Sequence, residues 1–227
     1  TLSYGYVVRV ELSTGNRETL SGGSAGSGPP FYGYQGPMDI DIEADGTIVV
    51  TDPSSSGLFR IDPATGNRTV LSGAVQSPYG GGVMPNGNLA VGTAGSSGYR
   101  SERIPAQPTT AAAIYEVSGS NGAAQLRSGG SPPVGSGPTI VRLAALDVGP
   151  DGVVYVFDPS INALLSVDMV TGNRTVVSSP NPAHAVGTGP GFGGVYGSAS
   201  NTSPYPDLVV THAASTTSSR GHWSLYR

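Results

Sequence analysis

An all-β fold is what this sequence predicts, and three observations carry it. First, short apolar runs alternate with turn residues along most of the chain. Residues 38–73 show this most clearly: MDIDIEADGTIVVTDPSSSGLFRIDPATGNRTVLSG. Four runs rich in Val, Ile, Leu and Thr (40–43, 47–51, 58–61 and 69–71) are each too short for a helix. Second, TGNR occurs at 14–17, 65–68 and 171–174, roughly 50 residues apart and then about twice that, the mark of an internal repeat. Third, Gly (35) and Pro (19) are abundant in a 227-residue chain, and here they fall at the turns rather than in one low-complexity tract.

Each repeat reads as four antiparallel strands, a to d. The turn between a and b is Asp45-Gly46, and it returns as Asp151-Gly152 and, weaker, as Asn86-Gly87. The c strands are Leu58-Phe59-Arg60-Ile61, Ile114-Tyr115-Glu116-Val117, Leu164-Leu165-Ser166-Val167 and Val7-Val8-Arg9-Val10. Asn121-Gly122 stands as a degenerate TGNR. A third signature, Gly-Ser/Thr-Gly-Pro, occupies 26–29, 135–138 and 187–190, where one meander hands over to the next. A four-stranded repeat of about 50 residues is the pattern of a β-propeller blade. The prediction is a single domain over 1–227 with four recognisable four-stranded blades, at about 38–73, 80–129, 141–178 and 191–227 plus 4–21. The last blade is closed by the N-terminal strands, in cis or in trans. An insertion at about 95–108 separates strands b and c of the second blade.

The repeat resembles the NHL-repeat and SMP-30-like propeller superfamily. The resemblance rests on Asp-Gly-x-x-x-Val-x-Asp at 45–52 and 151–158, on the Arg60-x-Asp62 strand end, and on Thr-Gly-Asn-Arg-Thr-Val at 65–70 and 171–176. It implies a ring of blades, usually six. In the SMP-30-like hydrolases it implies a divalent metal held in the central channel by a Glu, two Asn and an Asp, a set with no motif-level counterpart in this sequence.

Composition narrows the function. The net charge is −4 and only 11% of residues are charged. All basic residues are scattered arginines, with no lysine, so nucleic acid is not an expected partner. No apolar stretch approaches the roughly 18 residues of a membrane span. There is no cysteine, which excludes a disulfide framework and thiolate-bound zinc. The Ser/Thr/Gly-rich, lysine-free composition points to an extracellular or cell-surface protein, and a chain starting at Thr1 is read as a processed, secreted form.

Candidate sites follow from the same patterns. Asp39, Asp41 and Glu43 alternate with Ile40 and Ile42 and share one face of strand a. That face is either solvated or a site for a cation such as Ca²⁺; no other cofactor is expected. Asp52 and Asp158 end their b strands before Pro and are expected to accept turn N–H groups. His212 takes the matching position in the fourth unit. His184, His212 and His222 lack metal-ligand spacing, and no G-x-S-x-G elbow is present. Catalytic residues are therefore expected to be none. Tyr4, Tyr6, Phe31, Tyr32 and Tyr34 cluster near the start, either packing between blades or meeting a sugar or a protein. Asn67, Asn173 and Asn201 open N-glycosylation acceptors.

The strand count carries the functional expectation. Four blades need four c strands, and the sequence offers five, the fifth at Trp223, Leu225 and Tyr226. A spare strand edge is a template for another chain. Tyr6, Val7, Val8, Arg9, Val10, Trp223, Leu225 and Tyr226 are the expected assembly edges. The function expected is that of a non-catalytic structural subunit that self-associates, into filaments if head-to-tail contacts do not close. The alternatives are an SMP-30-like metal-dependent hydrolase of the lactonase type and a glycan- or peptide-binding propeller module.

Overall fold

The Asp-Gly, Asn-Gly and TGNR turn signatures mark chain reversals in the computed structural model, which describes residues 5–31, 36–93, 95, 111–189, 192, 194–199 and 209–213. Asp45 shows how a reversal is held. Its Oδ1 accepts the Thr47 N–H at 2.9 Å, and Gly46 takes φ +90°. Asp52 does the same at the next reversal, accepting Ser54 N–H at 2.9 Å. Asp158 accepts Ser160 N–H at 2.8 Å and also accepts Val141 N–H, earlier in the chain, at 2.6 Å.

The strands form antiparallel meanders in chain order. Blade one is β3 (Asp39–Ile42), β4 (Ile48–Asp52), β5 (Gly57–Ile61) and β6 (Arg68–Ser72). Blade two is β7 (Pro78–Val83), β8 (Leu89–Thr93), β9 (Ala113–Val117) and β10 (Ala124–Gly129). Blade three is β11 (Ala145–Val148), β12 (Val154–Asp158), β13 (Ala163–Val167) and β14 (Arg174–Ser178). Two-stranded sheets flank them: β1 (Tyr6–Val10) with β2 (Arg17–Gly22), and β15 (Gly194–Ala199) with β16 (Val209–Ala213). The innermost strands β3, β7, β11 and β15 lie side by side in that order. This is a β-propeller. The insertion falls between β8 and β9, as the sequence indicates, and most of it lies outside the described residues.

The core is built between blades, not within them. Val7, Leu20 and Phe31 meet Ile48, Val50, Phe59 and Ile61 of blade one. Val49 and Leu58, on the other face of blade one, meet Val75, Leu89, Val91 and Val117. Ala112, Ile114 and Ile140 join Val154, Val156, Leu165 and Val167 between blades two and three. Each such Val, Leu, Ile or Phe side chain contributes about 1.5–3 kcal/mol when fully buried. Both faces of a blade are covered, so β4 is buried at all five positions rather than at every second one. Close approach near the axis depends on β7: a Cβ on Gly82 would come within 2.7 Å of Val148 Cγ2.

The two-stranded sheets are recognisable halves of a blade. In β1–β2 the register slips between Val7 and Val8, and Val10 faces Arg17. Blades one and three slip at the same place, between Leu58 and Phe59 and between Leu164 and Leu165, with Ile61 facing Arg68 and Val167 facing Arg174. So β1–β2 is a c–d pair. The β15–β16 slip, between Val195 and Gly197, matches that of β7–β8 between Pro78 and Gly80, which makes β15–β16 an a–b pair.

Candidate functional site

The repeated TGNR and Gly-x-Gly-Pro signatures meet each other. In the first pairing, the loop after β2 receives the β5–β6 turn of blade one. Asn67 Oδ1 accepts both the N–H and the hydroxyl of Ser27, each at 2.8 Å. Arg68 N–H donates to Ser27 O at 2.7 Å. The Arg68 guanidinium donates to Pro29 O (2.8 Å), Ser21 Oγ (2.8 Å) and Ala25 O (3.0 Å). Ser21 Oγ in turn donates to Gly66 O at 2.6 Å. Phe31 closes the arrangement from below, 5.3 Å from the guanidinium carbon and edge-on to Phe59.

The second pairing repeats this between blades two and three. Asn173 Oδ1 accepts the Ser136 N–H and hydroxyl at 2.8 Å each, and Arg174 N–H donates to Ser136 O at 2.9 Å. Arg174 donates to Pro138 O (2.6 Å), Ser128 Oγ (2.7 Å) and Val134 O (2.9 Å). Ile140 stands where Phe31 stood. We call these arrangements clasps. Burial pushes both guanidinium groups below the ordinary arginine value, yet arginine holds its proton in such sites. Main-chain glycines are needed for contact: a Cβ on Gly26 would overlap Gly66 O, and one on Gly135 would overlap Gly172 O.

The acidic face of β3 has a role that strand periodicity alone does not disclose. Asp39 Oδ2 accepts Gly81 N–H at 2.8 Å, and Asp41 Oδ2 accepts Val83 N–H at 2.5 Å, so both carboxylates stitch blade one to the inner strand of blade two. Glu43 instead receives Arg60 Nε at 2.7 Å. Arg60 also donates to Gly119 O of blade two at 2.6 Å, and the Glu43 bond holds its proton more firmly than in a free arginine. Among the described residues no three His, Asp or Glu side chains converge as a cation cage.

The N-terminal edge divides into two faces. Val7, expected at the assembly edge, is 8% exposed and belongs to the core against blade one; strand alternation turns it toward that blade and Tyr6 and Val8 away from it. Tyr6, Val8 and Val10 are 61%, 41% and 46% exposed. Their blade counterparts at Val8 and Val10 are Phe59 and Ile61, at 3% and 0%. Arg9 is turned toward Glu18 Oε1 (2.6 Å) and Pro63 O (3.1 Å). β1 is hydrogen-bonded to β2 on one edge, with no second partner strand among the described residues. Trp223, Leu225 and Tyr226 lie outside the described residues, as do Tyr4, Tyr32, Tyr34, Asn201 and His222. Asn67 and Asn173 are exposed, but their amide oxygens serve the clasps. His184 donates its N–H to Asn181 O at 2.8 Å, and His212 sits in β16 opposite Val195. A shallow cleft of about 440 Å³ runs between blades two and three, lined by Met84, Asn86, Glu116, Arg127, Asp151 and Met169. Burial raises the Glu116 carboxyl, but hydrogen bonds from Asn88 and Arg127 outweigh it and leave the group below its usual value.

No protein-family model and no curated protein sequence matches the chain. Solved structures do. Two structures of the extracellular domain of the B. thetaiotaomicron BT4673 system, described as hybrid two component and one component respectively, match with TM-scores of 0.53 and 0.54 at 10% identity. The matches cover 92% and 93% of this chain but 24% of those chains, so it spans about a quarter of their length. Virginiamycin B lyase from Staphylococcus aureus matches with a TM-score of 0.49 at 16% identity, over 93% of this chain and 76% of the lyase. At these identities the likeness concerns the fold.

Proposed function

We propose that the chain is a non-catalytic extracellular propeller that works as a structural subunit, joined to its neighbours through its terminal strands. One observation carries this reading. The chain bears a c–d half-blade at one end of the arc and an a–b half-blade at the other, and together they make one complete blade. Joined between molecules, they form a heterologous contact that propagates unless the rotation closes it. Hydrogen bonds along β1 and β16 supply continuity, and burial of Val8 and Val10 adds about 1.5–3 kcal/mol each when complete.

The extracellular placement is supported by the composition and by the extracellular domains among the structural matches; among the described residues no helix is long and apolar enough to cross a membrane. The NHL and SMP-30-like character of the blades is supported by the repeat motifs. A second reading, a glycan- or peptide-binding module, is favoured by the cleft between blades two and three; glycan-array binding by monomeric protein tests it.

The assembly reading is tested by solution mass and negative-stain microscopy at micromolar concentration. Filaments or ordered oligomers are expected, and the double substitution Val8→Asp/Val10→Asp, on the exposed side of β1, abolishes them while leaving blades one to three folded. A clean monomer near 22.8 kDa sinks the reading.

A further inference from the structure

Within one molecule, each Arg-bearing TGNR turn seated in a clasp has a Gly-Ser-Gly-Pro loop to hold it. The turn at 65–68 sits in the loop 26–29, and the turn at 171–174 sits in the loop 135–138. Blade two lacks both partners together. Its turn has Ala124 where the arginine belongs, and the link from Ser72 to β7 contains no Gly-x-Gly-Pro. One turn and one loop remain: Thr14, Gly15, Asn16 and Arg17 on the c–d half-blade, and Gly187, Thr188, Gly189 and Pro190 after β14.

Among the described residues both are bare, unlike their seated counterparts. Arg17 is exposed, whereas Arg68 and Arg174 are 7% and 6% exposed. Carbon added at Gly66 or Gly172 would strike the carbonyl of Leu20 or Arg127 in the preceding blade; added at Gly15 it meets nothing within 4 Å among the described residues. Carbon added at Gly28 or Gly137 would strike the main chain of Arg68 or Arg174, while among the described residues it meets nothing within 4 Å at Gly189 and only Ser178 Oγ, at 3.8 Å, at Gly187. Phe192 occupies the place of Phe31 and Ile140 after the loop. Those two are 1% exposed; Phe192 is only half-buried, edge-on to Phe157. Val8 and Val10, bare on the same side of β1 that Phe59 and Ile61 use in blade one, are the apolar surface that would cover it.

We propose that the loop at 187–189 is a docking cradle for the 14–17 turn of a second copy of this chain. Arg17 then closes a third clasp, between molecules. By correspondence, Arg17 donates to Ser178 Oγ, and Asn16 accepts from the N–H and hydroxyl of Thr188. A second copy is the occupant because one molecule already carries both surfaces at opposite ends of its arc, with β1 hydrogen-bonded to β2 and β16 to β15. The inference rests on the assembly reading above and specifies its contact.

The absence of cysteine makes disulfide trapping clean. Thr188 and Asn16 correspond to Ser27 and Asn67, whose side chains meet at 2.8 Å. The Ser27→Cys/Asn67→Cys protein therefore serves as the control for whether this geometry closes a disulfide. Full-length Asn16→Cys and Thr188→Cys proteins are mixed, oxidised and run without reductant, while solution mass is measured in parallel. A mixed dimer is expected, together with a loss of association of about tenfold or more for Arg17→Ala. A doubly substituted chain that closes only on itself, with no cross-link between the mixed proteins, overturns the second copy in favour of the chain's own turn. Assembly that persists without cross-linking and ignores Arg17→Ala overturns the cradle but leaves the assembly reading standing. Monomers throughout, with no cross-link, sink both.

Discussion

The blade interfaces of this molecule are held in two ways. Where β1–β2 meets blade one, and where blade two meets blade three, a buried arginine ties the outer strand of one blade to the loop leaving its neighbour. Between blades one and two there is no clasp. Val75 fills the interface three residues beyond Ser72, with 1% exposure, and the polar contacts move inward to Asp39 and Asp41 on the N–H groups of β7. Only the serine remains common to all three, since Ser72 Oγ still donates to Gly122 O at 2.7 Å. The difference teaches what the arginine is for. A long connecting loop brings main-chain carbonyls that need donors; a short one brings none, and valine suffices.

Removing the arginine is the strongest way to break that contrast. Arg174→Ala leaves Ser128 Oγ and the carbonyls of Pro138 and Val134 without their donor, and is expected to cost about 3 kcal/mol in chemical denaturation. Arg174→Lys recovers only part, because an ammonium cannot span the same fork. Asp39→Ala attacks the unclasped interface and strands the Gly81 N–H, at a cost of about 1–3 kcal/mol. Ala124→Arg is the sharpening experiment: with no carbonyl cradle before β7, the unfolding free energy should change by no more than about 0.5 kcal/mol in the stabilising direction.

Two smaller effects follow from the turn and strand carboxylates. Asp62 is held below its ordinary value by the Ala64 N–H and by Thr65, and Asp168 by the Thr171 hydroxyl and the Val170 N–H. A depressed carboxyl stabilises the fold above its unfolded value, and that share is lost as pH falls through the lower folded value. The melting temperature is therefore expected to be flat from about pH 8 to 5 for these groups and to decline below about pH 4; an earlier decline would point to other groups. Added Ca²⁺ should leave melting unchanged, because Asp39 and Asp41 already accept N–H groups and Glu43 holds Arg60.

The strands and reversals were legible in the sequence because turn chemistry is local: Asp45-Gly46 and Asp52-Pro53 declare themselves within a few residues. The clasps were half legible. TGNR and Gly-Ser-Gly-Pro both stood out as repeats, but nothing local shows that Asn67 reaches back to Ser27. The signal that pairs them is their joint absence from blade two. Strand alternation placed Asp39 and Asp41 on one face, yet a blade buries both faces, so periodicity cannot say which neighbour a face will meet. Val7 escaped for a related reason. Alternation turns Val7 toward blade one and Val8 to the opposite face, and nothing local in the sequence shows which face of β1 a blade will cover.

The clasp arginine addresses carbonyl oxygens and one serine hydroxyl, and almost nothing else about its neighbour's side chains. A contact that recognises only the path of the main chain is indifferent to which copy of the unit supplies it. Duplicating a stretch of gene that runs from one Gly-x-Gly-Pro loop to the next would add a blade that already fits on both sides. Lengthening such a protein requires copying, with little need for the new interface to be invented.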